Sequence, residues 1–263
     1  MENTTIFAII ISLCAGLSTA IGGLIVFFSN IKNSRLLAFS MSFAAGVMIY
    51  VSFVEILPEA QHAIKETHSE RFAISISVLL FFLGMFLVYL IEKIVPNDPH
   101  KIHSDDDKPE AEQKKKLYKT GILVMIALTI HNFPEGIATF MSSMNDVSVG
   151  VMIAFAIALH NIPEGMAVAA PIYYSTGNKW KAFRYSLYSG FAEPLGAIFA
   201  FLILGDIVET WIFGYVMSVI AGIMVYISFV GLLPGSWKYG SNKDFINGLV
   251  LGMAVMAISL ILC

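Results

Sequence analysis

The stretch AGVMIYVSFVEILPEA, residues 45–60, returns near the other end of the chain as AGIMVYISFVGLLPGS, residues 221–236. Nine of the sixteen positions are identical at a single offset: Ala, Gly, Met, Tyr, Ser, Phe, Val, Leu and Pro. Each copy lies inside an apolar run long enough to cross a hydrocarbon core, which needs about 20 residues of helix. Reading both copies as parts of membrane-spanning helices decides the fold class.

The rest of the chain agrees. Of its 263 residues 57% are hydrophobic and only 13% charged, against about 25% charged in an ordinary soluble domain. The net charge of −3 points to no nucleic-acid partner. Cys14 lies in an apolar run and Cys263 is the last residue, so the cysteines form neither a disulfide framework nor a thiolate metal site. The first residues, Met-Glu-Asn-Thr-Thr, carry no basic n-region. The first apolar run therefore reads as a retained span rather than a cleaved signal.

Eight spans are expected, at about 5–28, 37–60, 72–95, 118–142, 147–172, 182–204, 209–234 and 244–263. They make one transmembrane domain, residues 1–263. The long connection, 96–116, is polar and charged and reads as a disordered cytoplasmic loop. With the N-terminus outside, fourteen of the sixteen Lys and Arg fall in inner loops, leaving Lys65 and Arg71 outside. The positive-inside bias thus favours an even number of spans with both termini out. Trp180, Trp211 and Trp237 fall at expected helix ends, as interfacial anchors do.

In this topology residues 45–60 run outward in the second span, and residues 221–236 run inward in the seventh. Leu-Gly-Met recurs likewise at Leu83 in the third span and Leu251 in the eighth. Spans 1–3 and 6–8 therefore read as an inverted repeat around spans 4 and 5, a 3+2+3 arrangement. Inverted repeats are a device of secondary transporters, whose sites lie near the midplane.

Spans 4 and 5 carry a duplication of their own. Thr129–Ala138 reads TIHNFPEGIA and Ala158–Ala167 reads ALHNIPEGMA. His131 and His160 lie near the centres of their spans, and so does Glu193 in the GFAEPLGA of the sixth. An ionised carboxylate at that depth costs about 2.5–3.5 kcal/mol. No Lys or Arg lies near the middle of a span to pair with it. What remains is protonation or a divalent cation, and spacing favours the cation. His131 and Glu135 are four residues apart, as are His160 and Glu164, so each pair projects from one helical face. Two imidazoles and two carboxylates suit Zn²⁺ and also Fe²⁺, Mn²⁺, Co²⁺ or Cd²⁺, whereas Mg²⁺ and Ca²⁺ prefer oxygen shells. Asn132 and Asn161 are turned toward a second ion, which Glu135 and Glu164 could bridge and Glu193 complete. Pro134, Pro163 and Pro194 remove the amides that would bond the carbonyls of Ile130, Leu159 and Gly190, so a kink is expected in all three helices.

Glu55 and Glu59, toward the outer end of the second span, read first as solvated. With His62, Glu66, His68 and Glu70 they could also form a vestibule that gathers cations. His100, His103 and Asp105 to Asp107 read either as a weak metal-binding loop or as a solvated linker.

HNFPEG in the fourth of eight spans and HNIPEG in the fifth resemble the signature of the ZIP (ZRT/IRT-like) family of metal transporters. The compact length is similar to its bacterial zinc-uptake branch. The resemblance implies a multi-pass protein of the cell membrane that moves Zn²⁺, and with it Fe²⁺, Mn²⁺, Co²⁺ or Cd²⁺, into the cytoplasm. The metal is cargo, with no further cofactor. It implies a binuclear centre: one site of His131, Glu135, His160 and Glu164, the other of Asn132, Asn161, Glu193 and the shared glutamates. It further implies that helices 1, 4, 5 and 6 slide against a scaffold of 2, 3, 7 and 8, with homodimers as a family state. The rival reading is a membrane-embedded metalloenzyme using the same ligands. Against it, the chain has no HExxH motif and lacks the histidine pairs of a membrane di-iron site.

Overall fold

The computed structural model describes residues 2–30, 34–95, 109–204 and 210–262, and these are helical nearly throughout. The helices are α1 (Glu2–Phe28), α2 (Ser34–Val51), α3 (Leu57–Lys65), α4 (Glu70–Ile94), α5 (Pro109–Asn145) and α6 (Val147–Thr176). After them come α7 (Lys179–Gly190), α8 (Ala192–Phe199), α9 (Thr210–Ile227), α10 (Leu233–Tyr239) and α11 (Asn242–Leu262). Short π segments, Ser52–Ile56 and Ser228–Leu232, join α2 to α3 and α9 to α10. Among the described residues seven runs are long and apolar enough to cross a membrane. They correspond to every expected span except the sixth.

The sixth is interrupted where one helix over 182–204 is expected. Regular helix is interrupted for one residue at Phe191, between α7 and α8, where the backbone stays right-handed at φ −67° and ψ −13°. Helix α8 leads into a third π segment, Ala200–Leu204. Pro194 explains the interruption, since it has no amide hydrogen to bond the Gly190 carbonyl. At Pro134 and Pro163 the helices are not interrupted, and α5 and α6 run through both prolines.

The expected loop 96–116 is also corrected at its end. Pro109–Lys116 forms the first turns of α5, where Lys116 pairs with Glu112 at 2.6 Å in i,i+4 register. Proline is well placed in a first turn, and the Ala, Glu, Gln and Lys that follow are good helix formers. His100, His103 and Asp105 to Asp107 lie outside the described residues, as do Cys263 and the side chain of Trp211. Trp180 and Trp237 are exposed near the ends of their helices.

The spans start and stop where the local sequence provides caps. Asp146 accepts from the amides of Ser148 and Val149 at the start of α6, and Gly177 ends that helix at φ 70°. Ser241 and Asp244 exchange backbone and side-chain bonds at the start of α11. Buried serines bond back to the carbonyl four residues earlier, as Ser52 does to Met48 and Ser228 to Met224. These bonds satisfy a hydroxyl where no water can.

Close packing is set by glycines, as in other membrane bundles. A Cβ at Gly46 of α2 would overlap the Leu249 carbonyl of α11, and one at Gly252 of α11 would overlap that of Phe43. The same reciprocal contact joins α4 to α9, through Gly84 against Val219 and Gly222 against Phe81. Gly46 and Gly222 hold the same position in the two repeated stretches, as Gly84 and Gly252 do in the two Leu-Gly-Met sequences. The π segments likewise fall at equivalent positions. Helices α1, α5, α6, α7 and α8 pack on one another, and contacts of α6 with α2 and α11 and of α5 with α9 and α4 join them to the remainder.

Candidate metal centre

The seven residues singled out at mid-depth are all buried. His131, Asn132 and Glu135 come from α5, His160, Asn161 and Glu164 from α6, and Glu193 from the first turn of α8. The four-residue spacing puts His131 Nε2 3.2 Å from Glu135 Oε1 along α5. His160 Nε2 reaches the same oxygen at 2.9 Å across the α5–α6 interface. Glu164 Oε1 lies 3.7 Å from His131 Nε2, and the two imidazole centroids are 6.4 Å apart. Donor atoms of His131, Glu135 and His160 all fall within 4.8 Å of one another, a set that could hold one metal ion.

The asparagines face the other side. Asn161 Nδ2 donates to Glu193 Oε2 at 2.9 Å and to the Ala15 carbonyl of α1 at 3.1 Å. Asn132 Nδ2 donates to the Ser189 carbonyl at 3.3 Å. Both amide groups are thereby held with their carbonyl oxygens free of any partner. Among the described residues thirteen buried side-chain N or O atoms lack a hydrogen-bond partner, and nine of them belong to these seven residues. Six of the nine are oxygens: one each on Asn132, Glu135, Asn161 and Glu193, and both on Glu164. Buried groups of this kind normally cost about 1–3 kcal/mol each. A cation would satisfy several at once, and no Lys or Arg pairs with these carboxylates among the described residues.

A cavity of about 710 Å³ leads to the cluster. Its lining runs from Glu59 and Ala63 of α3, Val149 of α6 and Phe213 of α9 to Glu135 and His160. Glu55 and Glu59 both line it. Glu55 sits on the first π segment, half-buried, with Oε2 buried and unpartnered. Glu59 is exposed, and His62 is exposed on α3 apart from the lining. Lys65 pairs with Glu70 at 3.0 Å, and His68 stacks on Phe72.

Reasoning from sequence missed the part played by α1. Ser12-Leu-Cys-Ala-Gly16-Leu-Ser-Thr19-Ala-Ile-Gly22 aligns with Ser186-Leu-Tyr-Ser-Gly190-Phe-Ala-Glu193-Pro-Leu-Gly196. Contacts made by one segment recur in the other. Ser186 Oγ donates to the Thr19 carbonyl at 2.7 Å, and Ser12 Oγ to the Glu193 carbonyl at 3.4 Å. A Cβ at Gly136 would overlap the Glu193 carbonyl, and one at Gly165 the Thr19 carbonyl. Cβ atoms at Gly16 and Gly190 would each overlap the other's carbonyl. The shared Ser, Leu and two Gly are the signal that could have revealed this.

The ZIP zinc transporter family model matches residues 3–116 and 96–260. A zinc transporter ZupT from Streptococcus mutans is 46% identical over 264 residues, covering 100% of this chain and 99% of its own. One from Lysinibacillus sphaericus is 47% identical over 268 residues, with 100% and 99% covered. One from Clostridium perfringens is 43% identical over 276 residues, with 99% and 97% covered.

Proposed function

The chain belongs to the ZIP zinc transporter family, and from that premise we propose that it carries Zn²⁺ through the cell membrane into the cytoplasm. The ions are bound by His131, Asn132, Glu135, His160, Asn161, Glu164 and Glu193. The observation that carries this reading is the meeting of His131 and His160 on one Glu135 oxygen, at the end of a cavity and beside carboxylate oxygens with no other partner. Imidazole and carboxylate together suit a borderline cation, so Fe²⁺, Mn²⁺, Co²⁺ and Cd²⁺ belong to the same proposal.

The centre is binuclear in this reading. One ion sits among His131, Glu135, His160 and Glu164; the second sits among Asn132, Asn161 and Glu193, with Glu135 and Glu164 shared. The oxygens left free on both sides of the glutamates support it. The eight spans form one transport domain, with both termini outside and a 3+2+3 inverted repeat. The exchanged glycine contacts and equivalent π segments support that repeat. The cavity then opens outward, and access alternates as α1, α5, α6, α7 and α8 slide against α2, α4, α9 and α11. Their packing as two groups supports this division. Homodimerisation is proposed on the family resemblance alone.

The family comprises transporters, so the metalloenzyme alternative is disfavoured. The test is Zn²⁺ flux into proteoliposomes for the wild type, Glu135→Ala and Glu164→Ala. Loss of flux in both variants is expected, and equal flux in all three would overturn the proposal.

A further inference from the structure

Glu193 and Thr19 hold equivalent places in two aligned segments that make the same contacts. In one, Asn161 Nδ2 donates to the Ala15 carbonyl, and a Cβ at the adjoining Gly16 would lie 3.1 Å from the Glu193 Cβ. In the other, Asn132 Nδ2 donates to the Ser189 carbonyl, and a Cβ at the adjoining Gly190 would lie 3.0 Å from the Thr19 Cβ. Each asparagine therefore bonds the carbonyl that precedes a glycine, and that glycine packs against Glu193 in one case and Thr19 in the other. The two differ in one respect. Glu193 meets Asn161 at 2.9 Å, whereas the shorter Thr19 makes no hydrogen bond to Asn132. Thr19 Oγ1 is buried without a partner, and so is Asn132 Oδ1.

The unpartnered hydroxyl is unusual for a helix. A threonine in a membrane helix ordinarily bonds the carbonyl four residues earlier, here that of Ala15. That carbonyl already accepts from Ser18 Oγ at 2.6 Å and Asn161 Nδ2 at 3.1 Å. The site's own wiring thus leaves the Thr19 hydroxyl unsatisfied in a dry interior, where that costs about 1–3 kcal/mol. Valine would have the same shape without this cost.

We propose that Thr19 Oγ1 and Asn132 Oδ1 form a neutral oxygen station that receives the metal ion, with its water, as it leaves Glu193 toward the cytoplasm. This rests on the transport reading above and adds a direction to it. With both termini outside, α1 runs inward and α7–α8 runs outward. Glu193 then lies three residues outward of the Gly16–Gly190 crossing and Thr19 three residues inward, roughly 4–5 Å to either side. Asn161 and Asn132 are displaced the same way on α6 and α5. An ion meets a carboxylate with an amide on the entering side and a hydroxyl with an amide on the leaving side. Glu135 and Glu164 serve the two sides alike, since Gly136 packs on the Glu193 carbonyl and Gly165 on that of Thr19. The sides differ by the charge of Glu193, and the side with Thr19 holds a divalent cation less tightly. Passage requires binding strong enough to admit the ion and weak enough to release it. An otherwise repeated frame is made unequal at one side chain, in the sense that favours release inward.

The test uses the full chain in liposomes that enclose a fluorescent Zn²⁺ indicator, with thermal melting of each purified variant alongside. Thr19→Val should lower maximal Zn²⁺ flux about three- to tenfold, the scale of one lost polar interaction. Its half-saturation should change less than about twofold and its melting temperature should hold or rise. Thr19→Ser should keep most of the flux. Thr19→Asp, which restores a charge, should lower half-saturation and maximal flux together. Wild-type flux in Thr19→Val, or equal loss in Thr19→Val and Thr19→Ser, would overturn the station. In either case sensitivity to Glu135→Ala would persist, so failure here is distinguishable from failure of the transport reading, in which Glu135→Ala itself has no effect.

Discussion

His160 Nε2 and Glu135 Oε1 lie 2.9 Å apart across the α5–α6 interface, while His131 Nε2 approaches the same oxygen at 3.2 Å from within α5. One carboxylate oxygen therefore ties the two copies of His-Asn-x-Pro-Glu-Gly together, and its second oxygen is buried without a partner. Glu135→Gln keeps the shape and removes the charge. It should lower Zn²⁺ flux at least tenfold, since a hydrogen bond or ligand involving a charged group contributes about 1.5–3 kcal/mol. The metal-free protein should melt no lower than the wild type, because the substitution neutralises a buried carboxylate. Flux at the wild-type level would remove Glu135 from the centre.

If the buried set binds metal as proposed, metal is a stabilising ligand. An ion that binds the folded chain alone adds about 2.7 kcal/mol at a hundredfold excess over its Kd. Thermal melting of the purified protein in detergent should therefore rise on titration with Zn²⁺ and fall back on chelation. The rise should shrink in Glu164→Gln, whose two carboxylate oxygens both lack a partner in the folded chain. A rise of equal size in that variant would place the stabilising ion elsewhere.

The candidate centre was legible in sequence where its residues carry charge. His131, Glu135, His160, Glu164 and Glu193 stand out because an ionisable group in an apolar span needs a reason. The helices were legible for the same cause, since runs of about 20 apolar residues have few other uses. Less visible was what main-chain atoms do. The carbonyls of Ala15 and Ser189 that orient Asn161 and Asn132 carry no sequence mark, and Thr19 is an ordinary residue for a membrane helix. Pro194 interrupts its helix while Pro134 and Pro163 do not, although all three precede or follow glycine at short range. That difference depends on packing, because neighbouring helices compensate a lost bond differently at each place.

Glu55 offers a prediction about how ions arrive. It lines the cavity that reaches Glu135 and His160, and its Oε2 is buried without a partner. A carboxylate in a walled cleft focuses the field and raises local cation concentration, an effect that salt screens over about 8–10 Å. Glu55→Gln should therefore raise the half-saturation for Zn²⁺ severalfold while maximal flux changes less. The difference from wild type should narrow as ionic strength rises. An unchanged half-saturation at low salt would return Glu55 to the role of a solvated side chain.

Gly136 and Gly177 separate packing from backbone freedom. At Gly136, one residue beyond Glu135, an added Cβ would overlap the carbonyl oxygen of Glu193 and press against its backbone. Both neighbours are backbone in the centre itself, so neither can yield without moving α5 from α8. Gly136→Ala should lower stability by about 1–3 kcal/mol, the range for overpacking a tight interior, and should reduce Zn²⁺ flux with it. At Gly177, which closes α6 at φ 70°, nothing lies within 4 Å of the added atom. Gly177→Ala should cost only the left-handed backbone preference, about 1–2 kcal/mol, and leave flux near the wild-type level. Melting and flux measured on both variants check the contrast. Because the two stability losses are similar in size, flux decides: equal flux in the two would mean that the α5–α8 contact does not set the geometry of the ion site.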